Sequence, residues 1–324
     1  MSHEGKLPGM PTASDYPLRG ILLKCGSVAV FTAMAALVKA TSGPEIGVPA
    51  GEQVFFRSFF AIPVILVWLI MRGELSIGLR TFRPMGHFYR GLVGTAAMAL
   101  NFWGLSLLSF PEVTAIGYAA PLLVVIFAAM FLGEEVRLFR LSMVGLGLLG
   151  VLVVLSPQLG LGHAVVPDLT RSLGAVVTLG GATCAALAQI FVRKLVQDER
   201  TSAIVFWFSV TATVLSLISL PFGWVMPDAT TAALLVTMGL LGGVGQILLT
   251  SAYRFADASL VAPFDYTSMI LAVGIGWFIF GEAPSLVVLT GSALVIVAGL
   301  LIIWRERQLG LERSRQRRAM TPQG

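Results

Sequence analysis

Long apolar runs, each close to the roughly 20 residues that a helix needs to cross the hydrocarbon core of a bilayer, recur along the whole chain. Short polar or Pro/Gly-containing breaks separate them. Ten such runs are legible, over residues 20–40, 53–71, 88–108, 113–132, 139–156, 174–192, 203–222, 230–251, 260–280 and 285–304. The pattern predicts an all-α integral membrane protein with ten transmembrane helices.

The runs are not independent of one another. Shifting the chain by 148 residues lays Ser259–Glu282 on Pro111–Glu134, so that Val261 meets Val113, Tyr266 meets Tyr118, Gly281 meets Gly133 and Glu282 meets Glu134. The same shift places Gly239, Leu240, Gly242 and Leu248 on Gly91, Leu92, Gly94 and Leu100, and a shift of 154 places Gly174, Gly180 and Arg193 on Gly20, Gly26 and Lys39. One unit of five helices therefore occurs twice. Because five is odd, the second copy starts on the opposite side of the membrane from the first, which predicts two inverted repeats. Residues 1–19 form an N-terminal segment, 20–156 the first repeat, 157–173 an external linker, 174–304 the second repeat and 305–324 a basic tail. Inverted repeats are a common plan of secondary transporters, whose substrate site lies between the halves near the bilayer midplane.

Charge adds orientation. Only 12% of residues are charged, and the mean hydropathy is +0.86, so lipid is the expected surroundings. With both termini cytoplasmic, the inner segments hold 18 of the 22 Lys and Arg residues, only Lys39 and Arg171 lie outside, and Lys24 and Arg57 fall within the runs or near their ends. This is the expected bias of cytoplasmic loops. It also accounts for the pI of about 9.6 without a nucleic-acid partner. The first 18 residues do not form a short charged leader, and no small-residue cleavage site follows the first run, which is expected to be retained as a helix. Cys25 and Cys184 stand singly, and neither a disulfide nor a metal site is indicated. His3, His87 and His163 fall outside the membrane core with no acid beside them, so no catalytic set is expected. No phosphate-binding P-loop is present, which argues against ATP drive within the chain. No cofactor is expected.

The polar groups inside the runs are the candidate site. Asp265 is the only carboxylate within a predicted span; it is either ion-paired, with Arg254 or Lys24, or a proton-coupling group. Tyr118 and Tyr266 recur one per repeat, for core packing or for a substrate ring. Arg57 either snorkels to the outer headgroups or faces a central cavity as an anion or carbonyl holder. Asn101, beside Trp103, and Gln246 must hydrogen-bond to a neighbouring helix or to a ligand. Pro121 and Pro263 should kink the helices that line the cavity. Gly239-x-x-x-Gly243, matched by Gly91-x-x-x-Thr95, should let helices approach closely. The fifth and tenth runs carry no such group and are scaffold or a homodimer face.

These motifs resemble the drug/metabolite transporter superfamily, EamA type, over about residues 20–304. The resemblance rests on FFRSFF around Arg57, A-x-x-Y-x-x-P-L ahead of FLGEE in the fourth run, and APFDYT ahead of FGE in the ninth. His87-x-x-Arg90-Gly91 looks most like the bacterial branch that contains riboflavin importers and S-adenosylmethionine carriers. Met269 stands where the first repeat has Pro121, a departure from symmetry. The resemblance implies a secondary carrier of a small organic metabolite in the bacterial inner membrane. Riboflavin uptake is the first expectation, with S-adenosylmethionine transport or export of amino acids or drugs as alternatives. The implied substrate-binding set is Arg57, Asn101, Trp103, Tyr118, Gln246 and Tyr266, with Asp265 for proton coupling.

Overall fold

Proline sets where the long helices break. A computed structural model of the chain describes residues 17–43, 46–133, 138–157, 168–195, 198–255 and 262–320. The second run is helix α2 (Ala50–Phe59) followed by α3 (Ala61–Met71), and the fourth is α6 (Phe110–Gly117) followed by α7 (Ala119–Leu132). The seventh is α10 (Thr201–Ser216), which tightens into a 3-10 turn over Leu217–Phe222. Each break lies four residues before a proline, at Pro63, Pro121 and Pro221. Proline has no N–H to give the carbonyl four residues back, and its ring crowds that carbonyl. The turn is lost at that point.

The remaining elements are α1 (Pro17–Ser42), the short α4 (Leu75–Gly78), α5 (Pro84–Leu107), α8 (Leu138–Leu155), α9 (Leu169–Leu195) and α11 (Ala229–Phe255). A 3-10 turn over Ala262–Tyr266 then leads into α12 (Thr267–Phe280), and α13 (Leu286–Met320) completes the described chain. Regular structure is entirely helical among the described residues. Eight helices are long and apolar enough to cross a membrane, and Phe264–Phe280 forms a shorter apolar helix. The run at 88–108 falls in α5, which is 24 residues long but is not among these eight; Arg90 and Asn101 lower its apolarity. The loop 134–137, most of the linker, most of the N-terminal segment and the side chains of Arg193, Arg254, Pro263 and most residues beyond Arg305 lie outside what the structure describes.

Glycine decides two ends and several crossings. Gly133 closes α7 and Gly281 closes α12, each at φ 66°, a left-handed conformation open to glycine at little cost. They are counterparts at the 148-residue shift. Helix α1 lies along α11, and α5 lies along α9; since α9 is the counterpart of α1 and α5 of α11, each pairing is the counterpart of the other. At the crossing of α11 with α2 and α3, a Cβ on Gly239 would stand 2.6 Å from the Phe56 carbonyl oxygen, and one on Gly243 would stand 2.8 Å from Val64 Cβ. Close packing is what these glycines permit. Helices α8 and α13 meet in the same way, where a Cβ on Gly150 would lie 2.7 Å from the Gly291 carbonyl oxygen.

Candidate functional site

The break at Pro121 places Tyr118 at the joint between α6 and α7, and Tyr266 occupies the matching joint ahead of α12. Their rings meet edge to face with centroids 5.2 Å apart. Both are buried in the main core. The Tyr118 hydroxyl lies 2.7 Å from the Ser268 hydroxyl, and the Tyr266 hydroxyl fills the space that a Cβ on Gly299 would need. The duplicated tyrosines thus touch across the two copies, at helix joints where the chain can bend.

Asp265 adjoins this pair and forms a 2.7 Å ion pair with Lys24 of α1; the Lys24 side chain is 3% exposed and that of Asp265 is 48% exposed. At the other end of α1, Lys39 Nζ lies 2.8 Å from Glu282 Oε1 and donates to the Leu108 carbonyl at 2.7 Å and the Leu105 carbonyl at 3.3 Å. Glu282 Oε2 accepts the Phe110 N–H at 2.7 Å. Glu112 forms a capping box with Ser109 at the start of α6 and holds Arg171 of α9 at 2.8 Å. Fifteen residues of helix, about 22 Å, separate Lys24 from Lys39. Helix α1 is therefore fastened to the α12 segment at both ends.

Arg57 lies apart from the tyrosines. It is 5% exposed, and its guanidinium carbon is 5.6 Å from the centre of the Phe208 ring of α10. Arg90 of α5 lies 3.7 Å from the centre of the same ring. The Nε of Arg57 and the Nε and Nη1 of Arg90 are buried without a hydrogen-bond partner. Arg90 had counted as one of the inner basic charges that orient the chain; its guanidinium is in fact packed into the protein on an aromatic ring.

The other expected residues are dispersed. Asn101 donates to the Ala97 carbonyl of its own helix at 2.8 Å and packs on Gly181 of α9. Trp103 is 42% exposed. Gln246 borders a void of about 10 Å³ with Ile65, Trp68, Ser202, Val205 and Ile247. The structure brings together Tyr118, Tyr266 and Asp265; it does not gather Asn101, Trp103 and Gln246 around them.

The expectation that no histidine has an acid beside it is corrected for His87. His87 Nε2 lies 3.6 Å from Glu199 Oε1, although the two are far apart in sequence. Glu199 Oε1 also accepts the Thr81 hydroxyl at 2.8 Å and the N–H groups of Phe82 at 2.6 Å and Arg83 at 2.7 Å. Burial works against charge on this carboxylate, but those donors outweigh it and hold Glu199 below the ordinary carboxylate value. No group of three or more His, Cys, Asp or Glu able to hold a metal occurs among the described residues.

Comparison with known proteins gives this arrangement its context. The model of the EamA-like transporter family matches the chain twice, over residues 18–156 and 172–304. The chain is 31% identical over 289 residues to the "Pseudopaline exporter CntI" of Pseudomonas aeruginosa, covering 88% of this chain and 95% of that one. It is 28% identical over 257 residues to the "S-adenosylmethionine uptake transporter" of Rickettsia bellii, covering 79% and 84% respectively. It is 31% identical over 266 residues to the "Riboflavin transporter" of Rhizobium johnstonii, covering 81% and 83%. A solved crystal structure shares the fold, with a TM-score of 0.64 at 21% identity, covering 90% of this chain and 98% of that one. The doubled match and these relatives establish that the chain belongs to the EamA-like transporter family of the drug/metabolite transporter superfamily, as a multi-pass small-molecule transporter of the bacterial inner membrane.

Proposed function

We propose that the protein is a secondary carrier that works by alternating access: ten helices in two inverted five-helix repeats, both termini cytoplasmic, rocking about a substrate site between the halves. The observation that carries this reading is the contact of Tyr118 with Tyr266 at matching helix joints. A two-fold axis relating inverted repeats brings counterparts together in this way. The exchanged helix pairings and the matched left-handed glycines support the same axis, and the Lys and Arg distribution supports the orientation. Asp265, ion-paired yet half exposed, is the coupling group in this reading.

Riboflavin uptake is the substrate reading to test first, because one relative bears that name and two aromatic rings meet at the matching helix joints. S-adenosylmethionine is the second reading. It is favoured by a separate observation, the unpartnered Arg57 and Arg90 nitrogens, since S-adenosylmethionine carries a carboxylate and riboflavin carries none. The experiment is uptake of labelled substrate by a bacterial strain that can neither make nor import it, with and without this gene. Accumulation of riboflavin supports the flavin reading. Accumulation of S-adenosylmethionine alone replaces it. No gradient-dependent flux of either compound, or of amino acids outward, with the protein confirmed in the membrane, counts against the carrier. Asp265→Asn should leave substrate binding intact and remove the dependence of flux on a pH gradient; flux still driven by pH in that variant rejects Asp265 as the coupling group.

A further inference from the structure

Two arginines from opposite ends of the helical bundle converge on one phenyl ring. Arg57 lies seven residues into α2, about 10 Å from the start of that helix, and Arg90 lies six residues into α5, about 9 Å from its start. The sequence orientation places those two helix starts at opposite membrane faces. Phe208, in the middle of α10, receives both guanidinium groups on its ring. The surroundings are otherwise closely packed and apolar: a Cβ on Gly242 would stand 3.1 Å from Arg57 Nε and 3.3 Å from Met34 Sδ, and one on Gly94 would stand 2.7 Å from Arg90 Nη1 and 2.9 Å from Phe208.

Among the described residues no carboxylate answers these two charges. The nearest acid along α2, Glu52, accepts the Val225 N–H at 2.9 Å, and Glu199 is committed to Thr81, Phe82 and Arg83. Among the described residues neither arginine forms a salt bridge, and the Ser58 hydroxyl next to Arg57 is also buried without a partner. Two adjacent cations with buried, unused donors are costly to keep inside a protein. Structural burial alone would be better served by apolar side chains. The flat forks of guanidinium match a carboxylate in two-point hydrogen bonding, and an aromatic face can hold the cations in place while the site is empty.

The geometry points to Arg57 and Arg90, seated on Phe208, as the substrate's anion subsite, so that the solute carried is an organic carboxylate. This rests on the carrier reading above and narrows its substrate class. The two guanidinium groups take the carboxylate between them, and a solute without an oxyanion leaves the pair unanswered.

The test uses the full chain in lipid nanodiscs and reads the melting temperature. The probes are S-adenosylmethionine against its decarboxylated analogue, several amino acids against their methyl esters, riboflavin, and inorganic phosphate. At least one carboxylate should raise the melting temperature while its matched carboxylate-free analogue does not. In Arg57→Gln and Arg90→Gln that ligand should bind about 10- to 150-fold more weakly, the loss expected for a hydrogen bond to a charged group. Both variants without ligand should melt at or above the temperature of the unaltered protein, because each removes a cation that forms no salt bridge among the described residues. Four results overturn the assignment: no carboxylate stabilises the protein, the carboxylate-free analogues stabilise it equally, phosphate alone reproduces the effect, or either variant is strongly destabilised without ligand. Proteoliposome flux keeps the two levels separate. Riboflavin flux that persists in both arginine variants retains the carrier and rejects the carboxylate subsite, whereas absence of flux for every compound rejects the carrier itself.

Discussion

Removing the tie between Lys39 and Glu282 should cost more than an ordinary surface ion pair. Lys39 makes two short charge-assisted contacts, to Glu282 Oε1 at 2.8 Å and to the Leu108 carbonyl at 2.7 Å, and a longer one to Leu105 at 3.3 Å. Hydrogen bonds to charged groups contribute about 1.5–3 kcal/mol each. The carbonyls end α5 and can recover part of that from water, so Lys39→Met should cost about 2–4 kcal/mol. Glu282→Gln keeps an acceptor for the Phe110 N–H and should cost about 1–2 kcal/mol. The side chains are 13% and 23% exposed, between the exposed pairs worth about 0.2–1 kcal/mol and buried pairs that cost about 3–5 kcal/mol to break. A coupling of about 1–2 kcal/mol should therefore appear in the double-mutant cycle. Circular dichroism during unfolding of the reconstituted protein, for the two single variants and the double, measures it. A coupling below about 0.5 kcal/mol, or a Lys39→Met variant as stable as the unaltered protein, would refute the claim that this pair fastens α1 to the α12 segment.

Two further outcomes test packing and titration. Gly239→Leu drives a side chain into Phe60 and the Phe56 carbonyl and should cost about 2–3 kcal/mol or more, whereas Gly274→Leu, with nothing within 4 Å of its added Cβ, should leave thermal stability nearly unchanged. Glu199 is held below its ordinary value in the folded protein, so the stability it contributes is present above the unfolded value and is lost as pH falls through the lower folded one. His87 at 3.6 Å is the titratable group facing it. Glu199→Gln should flatten the acid limb of a stability-against-pH profile; a limb of unchanged steepness would show that other groups set it.

How much of this was legible in the chain depended on whether the governing relation was local. The joint at Tyr118 followed from Pro121, because the lost hydrogen bond reaches only four residues back; the joints ahead of Pro63 and Pro221 obey the same rule, although neither proline is among those expected above to kink a helix. The tyrosine contact was foreshadowed by the repeat, since a position duplicated about a two-fold axis is placed near its own copy. Asp265 with Lys24 was one of two pairings open to it, decided by which cation α1 brings alongside. Glu199 with the start of α5 had no such signal, and for Lys39 with Glu282 the repeat duplicated each charge without showing that the two meet. Each joins residues more than a hundred positions apart, and hydropathy periodicity reports which face of a helix is buried, not what covers it. Arg90 shows the same limit: beside a basic loop an arginine counts as an orientation charge, and only the position of Phe208 on another helix shows that its guanidinium packs on that ring. Nor did the sequence show that Trp103 stands 42% exposed or that Asn101 is tied back to its own helix.

The repeat also makes its exceptions informative. Lys39 and Glu282 fall on Arg193 and Glu134 in the other copy, so the chemistry of that tie is present twice in the sequence. Lys24 and Asp265 fall on Thr178 and Gly117, so their ion pair has no duplicate. In a carrier built from inverted repeats, a closing contact duplicated in both copies weighs equally on the two faces, and only an unduplicated one biases the resting state. The Lys24–Asp265 pair, at the N-terminal end of α1, should therefore hold that face closed. With one partner 48% exposed, its worth is on the order of 1 kcal/mol, which corresponds to about a fivefold change in the open population. Cys25 adjoins Lys24 and is a free thiol, so it reports on this end without a new residue, and Cys184 serves as the internal control. In nanodiscs, Asp265→Asn should raise the labelling rate of Cys25 by about fivefold, while Glu282→Gln should not. Equal labelling of Cys25 in both variants would mean that the asymmetry of charge between the copies does not set which face is closed.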